Sequence, residues 1–194
     1  MSDVGPEFDL TRICDVSRET IQSLRVYANL LEKWNKTINL VSKSTINHMW
    51  ERHFLDSAQL WPHIPENAKT LVDIGSGAGF AGLVLAIIGK EKNPNLRVVL
   101  IESDTRKCAF MRNVSRETNI NVEIITKRIE EVDDLKADVV TARALATVSQ
   151  LLEYSKNILK KKGICLFLKG DACASELIEA KKSWIFLSKE SQSI

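Results

Sequence analysis

The segment Asp73-Ile74-Gly75-Ser76-Gly77-Ala78-Gly79-Phe80 decides the fold of this 194-residue chain. It follows a short, apolar, β-branched run at residues 70–74 and precedes a second apolar run at residues 83–88. The first run predicts a buried strand, and the second predicts a buried helix. The glycines between them let the chain turn tightly and let a ligand approach the backbone. The segment therefore predicts a strand, a ligand-binding turn and a helix at the edge of an α/β sheet.

Strands and helices continue to alternate after this turn. Further strands are predicted at residues 96–101, 122–125, 137–141 and 164–168. Helices are predicted at residues 105–118 and 147–160, the second ended by Gly163. This rhythm predicts an α/β fold with a doubly wound, mostly parallel sheet of Rossmann-like type and helices on both faces.

Two regions of the chain differ in character. Residues 1–66 are expected to form a helical extension packed on the core, because Leu24, Tyr27, Leu31 and Trp34 follow the spacing of one helix face. A second helix is predicted from near Ser44 to before Pro62. Residues 67–194 are expected to form the α/β domain, shortened at its C-terminal end, since the sequence after residue 184 leaves room for one further strand at most.

The composition excludes some classes of protein but does not identify the function. Hydrophobic residues make up 44% of the chain, charged residues 27%, and the formal net charge is only +2, so nucleic acid is neither required nor excluded. The four cysteines form no C-x-x-C pair, so we expect free thiols and no metal. No apolar stretch is long enough to span a membrane, and residues 1–6 lack the pattern of a secretory signal. A cytoplasmic protein is expected.

The glycine turn fits two cofactors. The pattern Gly77-x-Gly79-x-x-Gly82 satisfies the dinucleotide fingerprint, which would indicate a nicotinamide-dependent oxidoreductase. S-adenosylmethionine is favoured because Asp73 lies two residues before Gly75, where a carboxylate can meet the cationic amino group of methionine. The turn also follows some seventy residues of helical sequence instead of starting the chain.

Two acidic positions follow neighbouring strands. Glu102 ends the second strand, where a carboxylate can accept hydrogen bonds from both ribose hydroxyls of a nucleoside. Glu130 follows the third strand, in a loop that borders the adenine in folds of this kind. Its carboxylate can read the purine edge, or Glu130 and Glu131 can simply open a helical turn. The residues alone leave that choice open.

A third strand end carries an arginine among small residues. Arg143 follows the fourth strand, where a transferred group would emerge, and a guanidinium can clamp a carboxylate, a phosphate or a guanine edge. Lys169 follows the fifth strand on the same rim, so its ammonium is expected to face substrate phosphates. Arg143 is therefore a candidate for positioning substrate or cofactor.

The sequence resembles the glucose-inhibited division protein B family, the bacterial small-subunit ribosomal RNA methyltransferases G. The resemblance covers about residues 22 to 184 and is carried by Lys33-Trp34-Asn35-Lys36-x-x-Asn39-Leu40-x-Ser42, Arg52-His53-x-x-Asp56-Ser57, Asp73-x-Gly75-x-Gly77-x-Gly79-Phe80, Leu100-Ile101-Glu102-Ser103, Arg143-Ala144 and Leu168-Lys169-Gly170. The family commonly has proline where Ala81 stands. The glycine motif alone is shared by many methyltransferases, and the N-terminal blocks make the combination specific.

The resemblance implies methylation of N7 of one guanine in 16S ribosomal RNA, yielding 7-methylguanosine. By family pattern the contacts with S-adenosylmethionine would come from Gly75, Phe80, Ile129, Glu130 and Arg143. The RNA phosphates would be contacted by basic side chains, with the 16S RNA or the small-subunit particle as partner and the chain acting as a monomer. The candidates are Arg106, Lys107, Arg112, Lys127, Arg128 and Lys169.

Guanine N7 has a lone pair and no proton, so its attack on a methyl group needs no general base. Catalysis is then expected from alignment alone, with no required catalytic nucleophile or base. The polar residues Asn39, His53, Asp56 and Ser57 have two interpretations: a buried network that docks the helices, or RNA contacts. A non-catalytic RNA-binding module remains a further alternative to the enzyme.

Overall fold

In the computed structural model the described residues are 10 and 13–193, without the side chain of Lys43, so residues 1–6 lie outside them. Five parallel strands form one sheet in the order β3-β2-β1-β4-β5. They are β1 (Thr70–Ile74), β2 (Arg97–Ile101), β3 (Val122–Ile125), β4 (Ala137–Arg143) and β5 (Leu159–Leu168). Buried apolar clusters lie on both faces of the sheet. The predicted doubly wound α/β fold is confirmed.

Helices cover these faces. They are α1 (Arg18–Asn35), α2 (Lys43–Ile46), α3 (Asp56–Ala58), α4 (Gly82–Lys92), α5 (Thr105–Thr118), α6 (Val148–Ser155) and α7 (Cys173–Ala180). A π-helical segment, Trp50–Leu55, precedes α3, and 3₁₀ turns lie at Trp61–His63 and Ile129–Glu131. No helix in the described part of the chain is long and apolar enough to cross a membrane.

Helix α1 docks the N-terminal segment on the sheet. The hydroxyl of Ser17 accepts a hydrogen bond from Thr20 N at 3.2 Å and starts the helix. Leu24, Tyr27 and Leu31 are fully buried against α4 and α5, as their spacing predicts. The helical segment and one face of the sheet thus share a single hydrophobic core.

The single helix predicted from Ser44 to Pro62 is wrong. The chain instead forms α2, the π-helical segment and α3 in succession. The three consecutive residues 53–55 are buried, which is more than the one apolar stripe of a regular helix covers. The wider π turn therefore places both His53 and Phe54 against the core.

The fifth strand begins earlier than the sequence predicts. Helix α6 ends at Ser155, and Lys160, Lys161 and Lys162 lie in β5 and not at a helix C-terminus. Because β5 is an edge strand, its lysines can reach solvent, and Lys160 Nζ pairs with Asp138 Oδ1 at 2.7 Å. Gly163 lies inside the strand, where the register with β4 shifts between Ala137 and Val139. A Cβ there would lie 2.9 Å from Ala137 O, so the irregular pairing requires glycine.

Candidate active site

The glycine turn after β1 has the backbone that its composition predicts. Gly75, Gly77 and Gly79 have φ values of +62°, +58° and +94°, a region that side chains other than glycine rarely enter. The hydroxyl of Ser76 donates to Asp73 O at 2.9 Å, and Ser76 N donates to Ile101 O at 3.0 Å. These bonds fix the turn to both β1 and β2.

A cavity of about 410 Å³ opens at the carboxyl ends of β1, β2 and β4. Its lining includes Gly75, Gly77, Phe80, Glu102, Ile129, Glu130 and Arg143, so seven of the nine predicted cofactor residues meet there. The other two predicted positions, Asp73 and Gly79, do not line it. Three predicted RNA contacts, Lys107, Lys127 and Arg128, do.

Glu102 lies on one wall with its carboxylate held by backbone. Its Oε2 accepts from Gly77 N at 2.9 Å, and its Oε1 accepts from Asp104 N at 2.8 Å. Each carboxylate oxygen has further lone pairs, so both can accept from a ligand as well. Glu102 thus links the glycine turn to the wall where a ribose would be recognised.

Asp73 lies beneath the turn instead of in the cavity. Its side chain is fully buried, and Oδ1 accepts from the Thr141 hydroxyl at 2.6 Å. Among the described residues Oδ2 has no hydrogen-bond partner. Burial raises the pKa of this carboxyl to about 6, against the opposing hydrogen bond from Thr141. The predicted direct contact with a methionine amino group is therefore corrected to a position under the floor of the site.

Arg143 also lines the cavity and is held there by the helical segment. Its Nη1 donates to Arg52 O at 2.9 Å and to His53 Nδ1 at 2.8 Å, and lies 3.6 Å from Asp56 Oδ2. Its guanidinium carbon is 5.0 Å from the centre of the Phe80 ring. Phe80 in turn stacks on His53 and Tyr27 with centroid separations of 4.8 Å and 5.3 Å.

The polar N-terminal residues divide between two environments. His53 and Ser57 are buried, and the Ser57 hydroxyl donates to His53 O at 2.6 Å. Burial, with the charge of Arg143, lowers the pKa of His53 to about 4, so the imidazole is neutral near pH 7. These contacts support the docking interpretation for His53, Asp56 and Ser57, whereas Asn39 is exposed.

Sequence reasoning did not assign Leu40 and Val41, which also line the cavity. They follow α1, and the side-chain oxygen of Asn35 accepts from both Leu40 N and Val41 N, at 2.9 Å and 3.0 Å. The helical segment therefore contributes one wall of the site. The signal was present in the Asn35 to Ser42 block, since an asparagine side chain can accept hydrogen bonds from the backbone N–H groups of a turn that follows it.

The remaining basic candidates are already paired. The Lys169 ammonium donates to Ala146 O at 2.8 Å and pairs with Glu176 Oε2 at 2.7 Å. Arg106 pairs with Asp104 at 3.0 Å, and Arg112 donates to Thr126 Oγ1 at 2.9 Å. The expectation that Lys169 faces substrate phosphates is therefore corrected, because its charge is neutralised within the fold. Among the described residues no group of three or more His, Cys, Asp or Glu side chains is arranged to hold a metal ion.

Solved structures share this fold. An S-adenosylmethionine-dependent methyltransferase of Thiobacillus denitrificans, in complex with S-adenosyl-L-homocysteine, superposes with a TM-score of 0.50 at 17% identity, covering 72% of this chain and 53% of that one. One from Aquifex aeolicus gives a TM-score of 0.50 at 16% identity, covering 74% and 76%. The chain therefore has the fold of these S-adenosylmethionine-dependent methyltransferases.

Sequence comparison identifies the family within that class. The profile of GidB, rRNA small subunit methyltransferase G, matches residues 20–194, and the chain belongs to this family. A "Ribosomal RNA small subunit methyltransferase G" of Paramagnetospirillum magneticum is 52% identical, over 93% of this chain and 85% of the relative. Its counterpart in Rhodospirillum centenum is 50% identical, over 90% and 79%. The predicted family and cofactor are confirmed, and the oxidoreductase alternative is not favoured.

Proposed function

We propose that this protein transfers a methyl group from S-adenosylmethionine to N7 of a guanine in 16S ribosomal RNA. The observation that carries the proposal is the cavity itself, where the glycine turn, Glu102 and Arg143 converge from three strand ends. Family membership and the names of the relatives support small-subunit ribosomal RNA as the substrate.

The residues present fit the methyl donor. The turn offers backbone at positive φ, to which a ligand can come close because Gly75 and Gly77 carry no Cβ. Glu102 would hold the ribose, and Ile129 and Glu130 would border the adenine. Asp73 and Gly79 would shape the turn from beneath, since neither lines the cavity. When bound, the cofactor supplies an electrophilic methyl group.

The protein's own task is then alignment. N7 of guanine attacks through a lone pair and loses no proton, so no general base is required. The neutral His53 is turned toward Arg143 and does not line the cavity, which agrees with a site that has no base. Phe80 and the Leu40–Val41 wall would hold the base and exclude water, and Arg143 would hold the methyl donor.

Lys107, Lys127 and Arg128 would bind RNA phosphates at the cavity mouth. Residues 1–66 would serve as an extension that completes the site of the domain at residues 67–194. We propose that the chain acts as a monomer in the cytoplasm, where its ribosomal substrate is made.

Calorimetric titration with S-adenosyl-L-homocysteine tests the cofactor site. Micromolar binding is expected for the wild type. Gly75→Val should abolish it, because a Cβ there would lie 2.6 Å from the Leu145 side chain at a φ of +62°. NADH should not bind. A folded wild type that binds NADH and not S-adenosyl-L-homocysteine would overturn the proposal.

The target is tested with radiolabelled methyl donor and small-subunit RNA lacking modification. Borohydride reduction followed by aniline cleaves RNA at 7-methylguanosine, so the methylated position can be mapped. Naked RNA and small-subunit particles are compared in parallel. Binding of RNA without methyl transfer to either would support the non-catalytic RNA-binding alternative.

A further inference from the structure

A continuous chain of hydrogen bonds runs from Arg143 to Ser42 through the buried side chain of His53. Arg143 Nη1 lies 2.8 Å from His53 Nδ1 on one side. Thr45 Oγ1 lies 3.2 Å from His53 Nε2 on the other, and it donates to Ser42 O at 3.1 Å. Ser42 directly follows Val41, which lines the cavity together with Arg143.

The chemistry of the partners fixes the direction of every bond. A guanidinium has donors and no acceptor, so His53 Nδ1 must be unprotonated and must accept from Arg143. A neutral imidazole then carries its proton on Nε2, which donates to the Thr45 hydroxyl. The Thr45 proton is directed to Ser42 O, which leaves the Thr45 oxygen free to accept.

The surroundings hold the imidazole in this state. His53 is 7% exposed and its ring stacks on Phe80 with an interplanar angle of 29°. Burial and the Arg143 charge lower the pKa of His53 to about 4. Asp56 Oδ2 lies 3.6 Å from the same Arg143 nitrogen, beyond hydrogen-bond distance, so the neighbouring side chain that accepts from this guanidinium is His53.

We propose that His53 is a positioning residue that presents Arg143 to the methyl donor and couples it to the Leu40–Val41 wall. The inference rests on the proposed function, because Arg143 acts only if the cavity holds that cofactor. His53 itself does not line the cavity and touches neither substrate nor cofactor. Its effect passes through Nδ1 to the Arg143 guanidinium and through Nε2 to Thr45 and Ser42.

Two substitutions distinguish the packing of the His53 ring from the hydrogen bond that its Nδ1 accepts. His53→Phe keeps a ring on Phe80 and removes both nitrogens, whereas His53→Asn loses the ring but keeps an oxygen near the position of Nδ1. The matched control is His63→Phe, because His63 is exposed in the 3₁₀ turn. Thermal unfolding of each variant establishes that it is folded.

Calorimetry with S-adenosyl-L-homocysteine gives the first readout. His53→Phe should weaken binding about tenfold, the size expected for a lost hydrogen bond to a charged group. His53→Asn should recover most of that loss, and His63→Phe should match the wild type. In kinetics, His53→Phe should raise KM for the methyl donor and leave KM for RNA unchanged. A purely structural role would give no recovery in His53→Asn, and that result would overturn the inference.

Long-range ¹H–¹⁵N spectra of the imidazoles give the second readout. The chain has three histidines, so the His53 signals are assigned by their loss in His53→Asn. His53 should show a bare Nδ1 and a protonated Nε2 from pH 8 down to pH 5, and Arg143→Met should shift the Nδ1 resonance. A protonated Nδ1 would overturn the inference alone, whereas a wild type that fails to bind S-adenosyl-L-homocysteine would overturn the proposed function as well.

Discussion

The Tyr27 hydroxyl donates a hydrogen bond of 2.6 Å to the carbonyl oxygen of Ala78, inside the glycine turn. Tyr27 belongs to α1 and is fully buried, with Phe54 and Phe80 around its ring. The bond therefore fastens the helical segment to the loop that forms the floor of the cofactor cavity.

Tyr27→Phe should remove this bond and keep the ring. Ala78 O would be left buried without that donor, so the free energy of unfolding should fall by about 1–3 kcal/mol. Denaturant titration measures the change, and Tyr154→Phe is the control, since Tyr154 is only half-buried. Equal stability of Tyr27→Phe and wild type would show that water replaces the hydroxyl.

Glu102→Gln should weaken S-adenosyl-L-homocysteine binding about tenfold or more. The substitution removes a charged acceptor that also orders Gly77 N and Asp104 N, and hydrogen bonds to charged groups are the stronger ones. The control is Glu123→Gln on the exposed face of β3, where the carboxylate pairs only with Arg97. Calorimetry should show unchanged affinity for the control. Unchanged affinity for Glu102→Gln would remove this residue from the ribose site.

Asp73 makes stability depend on pH in an unusual direction. Because its folded pKa is raised to about 6 from an ordinary value of 3.8, the folded chain binds the proton more tightly than the unfolded chain between those values. Its contribution to stability is therefore present at low pH and is lost as the pH rises through about 6. His53, with its pKa lowered to about 4, acts in the opposite sense over nearly the same range.

Substitutions distinguish the pH dependence of stability caused by Asp73 from that caused by His53. Relative to wild type, Asp73→Asn should gain stability as the pH rises from about 4 to about 6, and the difference should stay constant above that range. Relative to wild type, His53→Asn should lose stability with rising pH over the same interval. Urea titrations at several pH values give both differences. A flat difference for Asp73→Asn would mean that the carboxyl has an ordinary pKa.

Gly82→Ala should destabilise the fold, with Gly170→Ala as a matched control. A Cβ on Gly82 would lie 2.1 Å from a methyl carbon of Leu100 and 2.9 Å from Asp73 Cβ. Overpacking of this kind costs about 1–3 kcal/mol. A Cβ on Gly170 would meet nothing within 4 Å, so that variant should unfold at the wild-type temperature. Similar melting curves for the two variants would contradict the tight packing of α4 on β1 and β2.

Lys127 and Lys169 should behave differently toward RNA. Lys127→Gln is expected to weaken RNA binding and to reduce the slope of log affinity against log salt by about 1, as for a single phosphate contact. Lys169→Gln should leave that slope unchanged, because the Lys169 ammonium is paired with Glu176 and Ala146 O. Filter binding over a range of salt concentrations distinguishes them. A larger decrease of this slope for Lys169→Gln than for Lys127→Gln would show that Lys169 contacts an RNA phosphate.

The strands and the glycine turn were predictable because their signals are local. Runs such as residues 70–74 and 122–125 are short, apolar and β-branched, and the observed strands have these bounds. The early start of β5 was not predictable from the sequence. Lys160 to Lys162 suit an edge strand only when the neighbouring strand and Asp138 are in place. The pairing of the first part of β5 with β4 depends on tertiary structure and leaves no signal in the local sequence.

In the candidate site, too, some features follow from local sequence signals and others depend on tertiary contacts. Glu102 and Arg143 were found because parallel strands end at one edge of a sheet, so their positions follow from the strand ends. The burial of Asp73 and the pairing of Lys169 with Glu176 depend on neighbours distant in the chain, which the spacing of motifs does not reveal. The contribution of Leu40 and Val41 likewise depends on how α1 docks.

The lining of the cavity includes residues 40–41 and residues 143–145, so it is built from parts of the chain that are far apart in sequence. A molecule that fills it binds the completed fold and not a partly folded chain. By mass action, such a ligand at a hundred times its Kd stabilises the folded state by about 2.7 kcal/mol. A bound methyl donor is therefore expected to raise the stability of the whole folded chain, including the docking of the helical segment.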